Sequence, residues 1–336
     1  MKALVCRQFG SVKDVELASV AEPELTDPHA VTIAVEFASV SHATGLMIAG
    51  QYQRRPPLPF VPGTEVVGHV VACGHAVTRL HPGDRVVAIA DWGGYAERLT
   101  LPEYTVYPVP ESLPSTSALP IPLSYGTAYC GLVWRCGLRA QDTVLVLGAG
   151  AGVGLAALEI GRQLGATVIA CASTEAKRAE ALRRGATHAL APEDLAASVK
   201  ALTDGRGADV VVDPVGGDLF GQALRAAAPN ARILSIGFAS GSIPQAPVNL
   251  LLVKNLTLHG FFFGRYIGWT PTNERAEHAS ALQPVMSTLL QWAAEGKLEP
   301  TVSAVYPLTG LGDALAALES RKVVGKVAIK IKETET

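Results

Sequence analysis

Residues 143–187 constrain this chain more than any other stretch. Thr143–Leu147 is an apolar, β-branched run, the pattern of a strand buried on both faces. Gly148–Gly154 follows with four glycines in seven positions, and Val153–Leu164 then shows helical apolar spacing up to Gly165. Thr167–Ala172 reads as a second buried strand, and Thr174–Arg184 as a charged helix closed by Gly185. The whole is a βαβ unit with a Gly-rich turn between strand and helix. Such a turn lets backbone N–H groups approach a pyrophosphate at the positive end of a helix. The strict G-x-G-x-x-G spacing is absent. The register ending at Gly154 places Ala149 and Ala151 where glycines belong, and the one ending at Val153 has no third glycine. The expectation of a bound dinucleotide therefore rests on the βαβ context rather than on the fingerprint.

The tip of the second strand separates the two nicotinamide dinucleotides. An NAD site places Asp or Glu there to hold the ribose hydroxyls, whereas an NADP site lacks that charge and supplies a cation. Here the chain runs Cys171-Ala172-Ser173-Thr174 without an acid, and Lys177 and Arg178 follow one turn into the helix. Ser173 can donate to a phosphate and Lys177 can neutralise it, so NADPH is expected. The competing reading makes Lys177 and Arg178 part of a solvated helix face with Glu175 and Glu180.

Around this unit the chain changes character twice. Residues 1–120 are rich in Val, Pro and Gly; Val31–Ala38, Val66–Cys73 and Arg85–Ile89 read as strands in a mostly β, barrel-like domain. A Pro-dense passage, Val106–Pro122, closes it. Leu123–Cys136 reads as a helix with an aromatic and apolar face. Strand Ala189–Leu190, helix Glu193–Thr203, strand Asp209–Pro214, helix Asp218–Ala228 and strand Arg232–Phe238 then continue the alternation of a doubly wound parallel sheet. Asn255–Phe263 reads as one more strand at a sheet edge, and Glu274–Glu295 as a long helix. The tail, with strand Val302–Leu308, helix Gly312–Ser320 and strand Gly325–Ile331, suggests a return to the first domain.

Bulk properties exclude several function classes. With 336 residues the chain is long enough for two domains, and 49% apolar residues supply their cores. A net charge of −2 without a basic stripe argues against nucleic acid. No apolar run reaches membrane-spanning length, and the opening MKALVCRQFG turns polar too soon for a signal peptide. Five dispersed cysteines, Cys6, Cys73, Cys130, Cys136 and Cys171, without a C-x-x-C pair, read as reduced thiols. A cytoplasmic protein with a small-molecule substrate is expected.

Short motifs in colinear order carry a resemblance across essentially the whole chain. They are Gly50-Gln-Tyr-Gln53, Pro59-Phe-Val-Pro-Gly-Thr-Glu65, Pro82-Gly-Asp-Arg-Val86, Gly93-Gly-Tyr-Ala-Glu97, Tyr125-Gly-Thr-Ala128, the 143–187 unit, Asp213–Gly217 and Gly325-Lys-Val327. With these the chain resembles the medium-chain dehydrogenase/reductase superfamily, in particular its zinc-free, zeta-crystallin-like NADPH:quinone oxidoreductase branch. The resemblance implies an α/β protein with a GroES-like catalytic domain split by a doubly wound Rossmann domain: 1–122, then 123–264 for NADP, then 265–336 back in the catalytic domain. It also implies an active cleft between the two domains. It implies reduction of quinones or α,β-unsaturated carbonyls, and homodimers or homotetramers that pair along an edge of the cofactor sheet, where Leu256–Phe263 would serve.

Site residues follow from the same resemblance. Tyr52 matches a tyrosine that lines the substrate cleft and is the expected donor to a carbonyl oxygen; simple packing is the alternative. Ser41 stands where many relatives carry Asn near the nicotinamide. Thr127 matches a threonine at the nicotinamide end, with a helix-interior hydroxyl as the alternative. Gly150, Ala151, Gly152 and Val153 are expected under the pyrophosphate, and Ser173 and Lys177 at the 2′-phosphate. Gly237, Phe238, Phe261 and Phe263 are expected at strand ends beside the nicotinamide, and Lys326 near the cofactor or else on the surface. No metal is expected. Zinc-dependent relatives place a Cys early in the catalytic domain, a Gly-His-Glu motif and a four-Cys lobe. Here Ser39-Val-Ser-His-Ala-Thr44 and Gly63-Thr64-Glu65 stand in the first two places, no such lobe exists, and His42, Glu65 and His69 are poor substitutes.

Two other functions fit the same architecture. One is an enoyl-thioester reductase of the acrylyl-CoA type, which would need a basic surface for CoA; Arg54 and Arg55 are the candidates. The other is a non-catalytic NADPH-binding protein.

Overall fold

A computed structural model describes residues 1–150, 152–320 and 323–331. The chain divides into two compact units. The first comprises Met1–Leu123, Gly264–Gly296 and Pro300–Thr336; the second comprises Ser124–Phe263 and Lys297–Glu299.

The first unit begins with a hairpin of β1 (Lys2–Cys6) and β2 (Val15–Ser19). Then come β3 (Ala30–Val40), α1 (His42–Ile48), β4 (Glu65–Cys73), β5 (Arg85–Ile89), β6 (Arg98–Pro102), β7 (Val106–Pro108) and the short α2 (Ser115–Ala118). Val31, Ile33 and Val35 alternate along β3, as a strand with one face on a core requires, and pack with Val66 and Val70 of β4 and Val86 and Ala88 of β5. Sequence reading missed β1, β2, β6 and β7, which are short and lack a long alternating run.

The chain enters the second unit along a helical run over residues 121–135 whose central α3 (Gly126–Cys130) is flanked by wider turns, Ile121–Tyr125 and Gly131–Arg135. The regular helix expected over Leu123–Cys136 is thus distorted. Pro122 lacks the N–H that an α-turn uses. Gly131 allows the run to press against the sheet, for a Cβ there would lie 2.6 Å from Cδ2 of Leu234. The sheet follows: β8 (Thr143–Leu147), α4 (Gly152–Gln163), β9 (Thr167–Cys171), α5 (Glu175–Arg183), β10 (His188–Leu190), α6 (Leu195–Leu202), β11 (Ala208–Asp213), α7 (Gly217–Ala226), β12 (Ala227–Ser235), α8 (Val248–Lys254) and β13 (Thr257–Gly260).

All six strands are parallel, in the order β10-β9-β8-β11-β12-β13. That is the dinucleotide-binding order, with ligands expected outside the carboxyl ends where the order reverses between β8 and β11. β12 begins earlier than its apolar run suggests because Asn230, at φ +63°, lets the strand bend and continue. It also ends earlier, so Gly237 and Phe238 lie in the loop beyond it. β13 is the sheet edge, as expected, but stops at Gly260. Phe261 therefore follows the strand, and Phe263 opens a 3-10 turn.

The rest of the chain contributes α9 (Arg275–Ala294), β14 (Val302–Pro307), α10 (Leu311–Glu319) and β15 (Lys326–Lys330). β15 pairs antiparallel with β3 and parallel with β14, so the first unit's sheet runs β14-β15-β3-β4-β5-β7, with β6 also on β3. Leu311 and Leu315 of α10 join Met47 and Ile48 of α1 in its core. The fold is α/β, a GroES-like sheet unit and a doubly wound parallel sheet.

Candidate active site

In the second unit the roles of the three fingerprint glycines are filled one position out of step. Gly148 makes the turn at φ +61°, leaving Ala149 fully buried with its N–H donated to the Cys171 carbonyl at 3.1 Å. Gly154 is the packing glycine: a Cβ there would lie 2.2 Å from the Gly148 carbonyl oxygen, so only hydrogen lets helix α4 start this close to β8. Gly152 begins the helix at φ +51°, and a Cβ there would meet nothing within 4 Å. Val153 follows it, half-buried. The first turn of the 12-residue α4 carries the N–H groups that a helix leaves without intrahelical partners, the donor arrangement that suits a pyrophosphate. Ala151 lies outside the described residues.

At the tip of β9, Ser173 is exposed and Thr174 caps α5, its hydroxyl accepting the Lys177 N–H at 3.3 Å. The Lys177 stem lies across Gly150, where a Cβ would be 2.6 Å from its Cδ. Arg178 turns back and donates to the Ala172 carbonyl at 3.0 Å. The two cations that looked alike in sequence therefore differ: Arg178 closes the strand end, while Lys177 lies on the glycine loop.

Thr127 is buried in α3. Gly237 is half-buried and Phe238 is 45% exposed, in the loop after β12. Phe261 and Phe263 are buried, with ring centroids 6.4 Å apart. Asp213, at the end of β11, is fully buried. Its Oδ1 accepts the N–H groups of Val215 and Gly216, each at 2.8 Å, and its Oδ2 has no hydrogen-bond partner among the described residues. Burial pushes this carboxyl up, partly offset by the two N–H donors. The Val215 side chain fills the space a Cβ on Gly148 would take. Asp213 therefore shapes the turn beside the glycine loop, a role that an isolated acid in a strand does not advertise in sequence.

In the first unit, Ser41 follows β3 and sits at the head of α1 with its hydroxyl 3.4 Å from that of Thr44. The Thr44 hydroxyl lies 3.4 Å from Tyr95 Oη, which donates to the Ser39 carbonyl at 2.9 Å. Burial holds the Tyr95 phenol far above its ordinary range. Ser39 Oγ donates at 2.6 Å to Glu65, a fully buried carboxylate that also pairs with Lys326 and accepts the Leu123 N–H at 3.3 Å. Lys326 is thus a buried partner of Glu65 and not a surface lysine.

Tyr52 is half-buried against the first unit's core, just after α1, with its N–H on the Leu46 carbonyl. Burial raises its phenol, and the Arg54 charge opposes that rise. Arg54 donates to Asp91 at 2.8 Å and stacks over Trp92 at 5.5 Å; Arg55 stacks over Phe9 at 5.9 Å. Both candidate CoA-binding arginines therefore have partners inside their own unit.

With this geometry in hand, comparison with known proteins is direct. Residues 27–111 match the family described as alcohol dehydrogenase GroES-like domain, and residues 152–281 the family described as zinc-binding dehydrogenase. Quinone oxidoreductase-like protein 2 homolog of Nematostella vectensis is 36% identical over 99% of this chain and 89% of its own length. The chain belongs to the medium-chain dehydrogenase/reductase superfamily, among its quinone oxidoreductase-like members.

Solved structures agree. The quinone oxidoreductase of Thermus thermophilus, whose crystal structures include a complex with NADPH, superimposes with a TM-score of 0.82 at 32% identity, over 98% of this chain and all of its own. An NAD-dependent alcohol dehydrogenase gives 0.87 at 31% identity, over 99% of this chain and all of its own. Membership in a superfamily with zinc-binding branches makes the metal question concrete. Among the described residues no three His, Cys, Asp or Glu side chains converge on a metal site. Glu65, in the Gly-His-Glu position, is engaged by Lys326 and Ser39, and His42 and His69 are exposed.

Proposed function

We propose that the chain is a zinc-independent reductase that uses NADPH to reduce quinones or α,β-unsaturated carbonyl compounds. The observation that carries the cofactor choice is the tip of β9. Ser173 stands where an NAD site carries an acid, and Lys177 lies across Gly150 of the pyrophosphate loop. The quinone oxidoreductase of Thermus thermophilus, similar over the whole chain, has been crystallised with NADPH. The residues fit that group: Gly152 and Val153 at the start of α4 offer backbone N–H groups to the pyrophosphate, and Ser173 and Lys177 a hydroxyl and an ammonium to the 2′-phosphate. When bound, NADPH supplies the hydride.

The remaining steps belong to this chain. Tyr52 offers a phenol O–H to the acceptor oxygen, where negative charge grows as the carbonyl is reduced, and Ser41 offers a second, shorter-reaching hydroxyl. Thr127, Gly237, Phe238, Phe261 and Phe263 line the nicotinamide end in this reading, and Lys326 acts through Glu65. The chain functions as a homodimer or a homotetramer. The open edge of β13 and the exposed Val248, Leu252 and Val253 of α8 support pairing there. Its five free thiols suit the cytoplasm.

A substrate panel tests the reading. NADPH consumption is expected with ortho-quinones and enones, unchanged after exhaustive dialysis against a chelator, and little with acyl-CoA esters. Turnover confined to CoA esters would replace it with the thioester reductase. NADPH binding without turnover on any class would leave a binding protein.

A further inference from the structure

Arg54 is the obvious surface cation next to Tyr52, yet its environment is built rather than open. Its guanidinium donates to Asp91 Oδ1 at 2.8 Å and lies over the Trp92 ring. The same carboxylate oxygen accepts Arg275 Nη2 at 2.7 Å. Arg275 is buried, and its Nε donates to Asn273 at 2.8 Å. Gly268 is tied to this arrangement, since a Cβ there would lie 2.3 Å from Asn273 Oδ1 and 2.4 Å from Arg275 Nε. Asp91 and Trp92 are neighbours in the Asp91–Glu97 turn, and the other residues come from the segment before α9 and its first turn. Two other parts of the first unit therefore converge on the loop that carries Tyr52 and Arg54. Two guanidiniums share one carboxylate oxygen, so the three groups together carry a net positive charge.

We infer that Arg54, fixed by Asp91 and Arg275, is a positioning residue that holds the Tyr52 loop, and with it the phenol, in place for reduction of carbonyl acceptors. The inference rests on the reading of Tyr52 as the hydrogen-bond donor. A positive charge near a phenol makes it the stronger donor to an oxygen that is gaining negative charge. Burial of Tyr52 alone works the other way, and Arg54 opposes it. Arg275 keeps Asp91 in place but, being buried and doubly held, serves mainly to fix the carboxylate.

Arg54→Gln tests this, with Arg54→Lys as the conservative variant and Tyr52→Phe as the background. Arg54→Gln is expected to lower kcat for an enone by about three- to tenfold, the scale of a hydrogen-bond donor whose loop is no longer held in place. KM for NADPH should stay unchanged, and turnover of an ortho-quinone should fall less than about twofold. Arg54→Lys should recover most of the enone rate. In the Tyr52→Phe background Arg54→Gln should cost nothing more. Equal losses on both acceptors, or full additivity with Tyr52→Phe, would overturn the inference while leaving Tyr52 as donor. An unchanged enone rate in Tyr52→Phe alone would instead remove the donor reading itself, and with it the role of Arg54.

Discussion

The two units solve one problem with different chemistry. Each is assembled from stretches of chain far apart in sequence, and in each a fully buried glutamate stands where those stretches meet. In the first unit Glu65 of β4 pairs with Lys326 of β15, which lies 261 residues away, and takes a hydroxyl from Ser39. In the second unit Glu159 of α4 pairs with Arg184 at 2.5 Å, accepts the Tyr125 hydroxyl at 3.0 Å and accepts the Glu299 N–H at 2.8 Å. Arg184 goes on to Glu180 at 2.6 Å and to the Glu299 carbonyl. Arg162 donates to the Lys297 carbonyl at 2.6 Å, and Arg183 reaches the Glu299 carboxylate at 2.8 Å. This network is why Lys297–Glu299, a short piece between two stretches of the first unit, belongs to the second.

The difference lies in the cation. The planar Arg184 fork serves several acceptors at once, whereas Lys326 is a point charge on a carboxylate that also accepts the Ser39 hydroxyl and the Leu123 N–H. A buried pair adds little net stability over a well-packed apolar pair, but removing one partner is costly because the survivor is left uncompensated. Removing Glu159 takes the acceptor from three donors at once, so the arginine-centred site should be the more fragile of the two.

Glu159→Ala is the sharpest way to break the comparison. It leaves Arg184 with Glu180 as its remaining carboxylate and takes the acceptor from the Tyr125 hydroxyl and the Glu299 N–H, so a loss of about 3–5 kcal/mol is expected. Urea denaturation followed by a probe in the second unit reads it; a loss below that caused by Lys326→Met would reverse the ranking. Lys326→Met strands Glu65 and should cost about 3 kcal/mol at neutral pH. Adding Glu65→Leu should return much of it, since an apolar pair of similar volume replaces the charges. A double variant no better than the single one would show that Glu65 does more than close the sheet.

A smaller effect separates stability from binding. Lys177 belongs to the glycine loop rather than to either buried glutamate. Lys177→Ala should leave unfolding almost unchanged while weakening NADPH by about 1.5–3 kcal/mol, the range of a charged hydrogen bond. Titration with NADH beside NADPH checks it; equal loss for both would sink the 2′-phosphate assignment.

The smallest effect is one of pH. Glu180, between Arg183 and Arg184, is held down to about 2 from its ordinary 4.5, chiefly by its hydrogen bond with Arg183. A carboxyl lowered on folding contributes stability above its unfolded value and loses it as pH falls through the folded one. The second unit should accordingly weaken between about pH 4.5 and 2. Glu180→Gln should flatten that dependence, and an unaltered acid profile in the variant would place the titration elsewhere.

Much of the fold was legible in the chain because its signals are local. The β8–α4–β9 unit announces itself by a buried strand, glycines and a helical repeat within one window, and the later strands of the sheet repeat that alternation. Even there the fingerprint misled. Read by spacing, Ala149 and Ala151 spoil it, yet Gly148 and Gly154 make the turn and the close approach. Lys177 and Arg178, adjacent and of like charge, carried no mark in sequence of which one folds back on Ala172 and which lies on Gly150.

By itself the sequence determined the alternation of elements, the parallel sheet, the missing acid at Ser173 and the superfamily. Each rests on periodicity or on neighbours a few residues apart, which backbone geometry converts directly into local structure. Only the tertiary structure decided that Glu65 meets Lys326, that Glu159 gathers Tyr125, Arg184 and Glu299, and that Asp91 is shared by Arg54 and Arg275. A charged residue in a strand or helix looks the same whether it faces water or a partner hundreds of residues away. The cost of burying it unpaired, which selects that partner, exists only once the chain has folded around it.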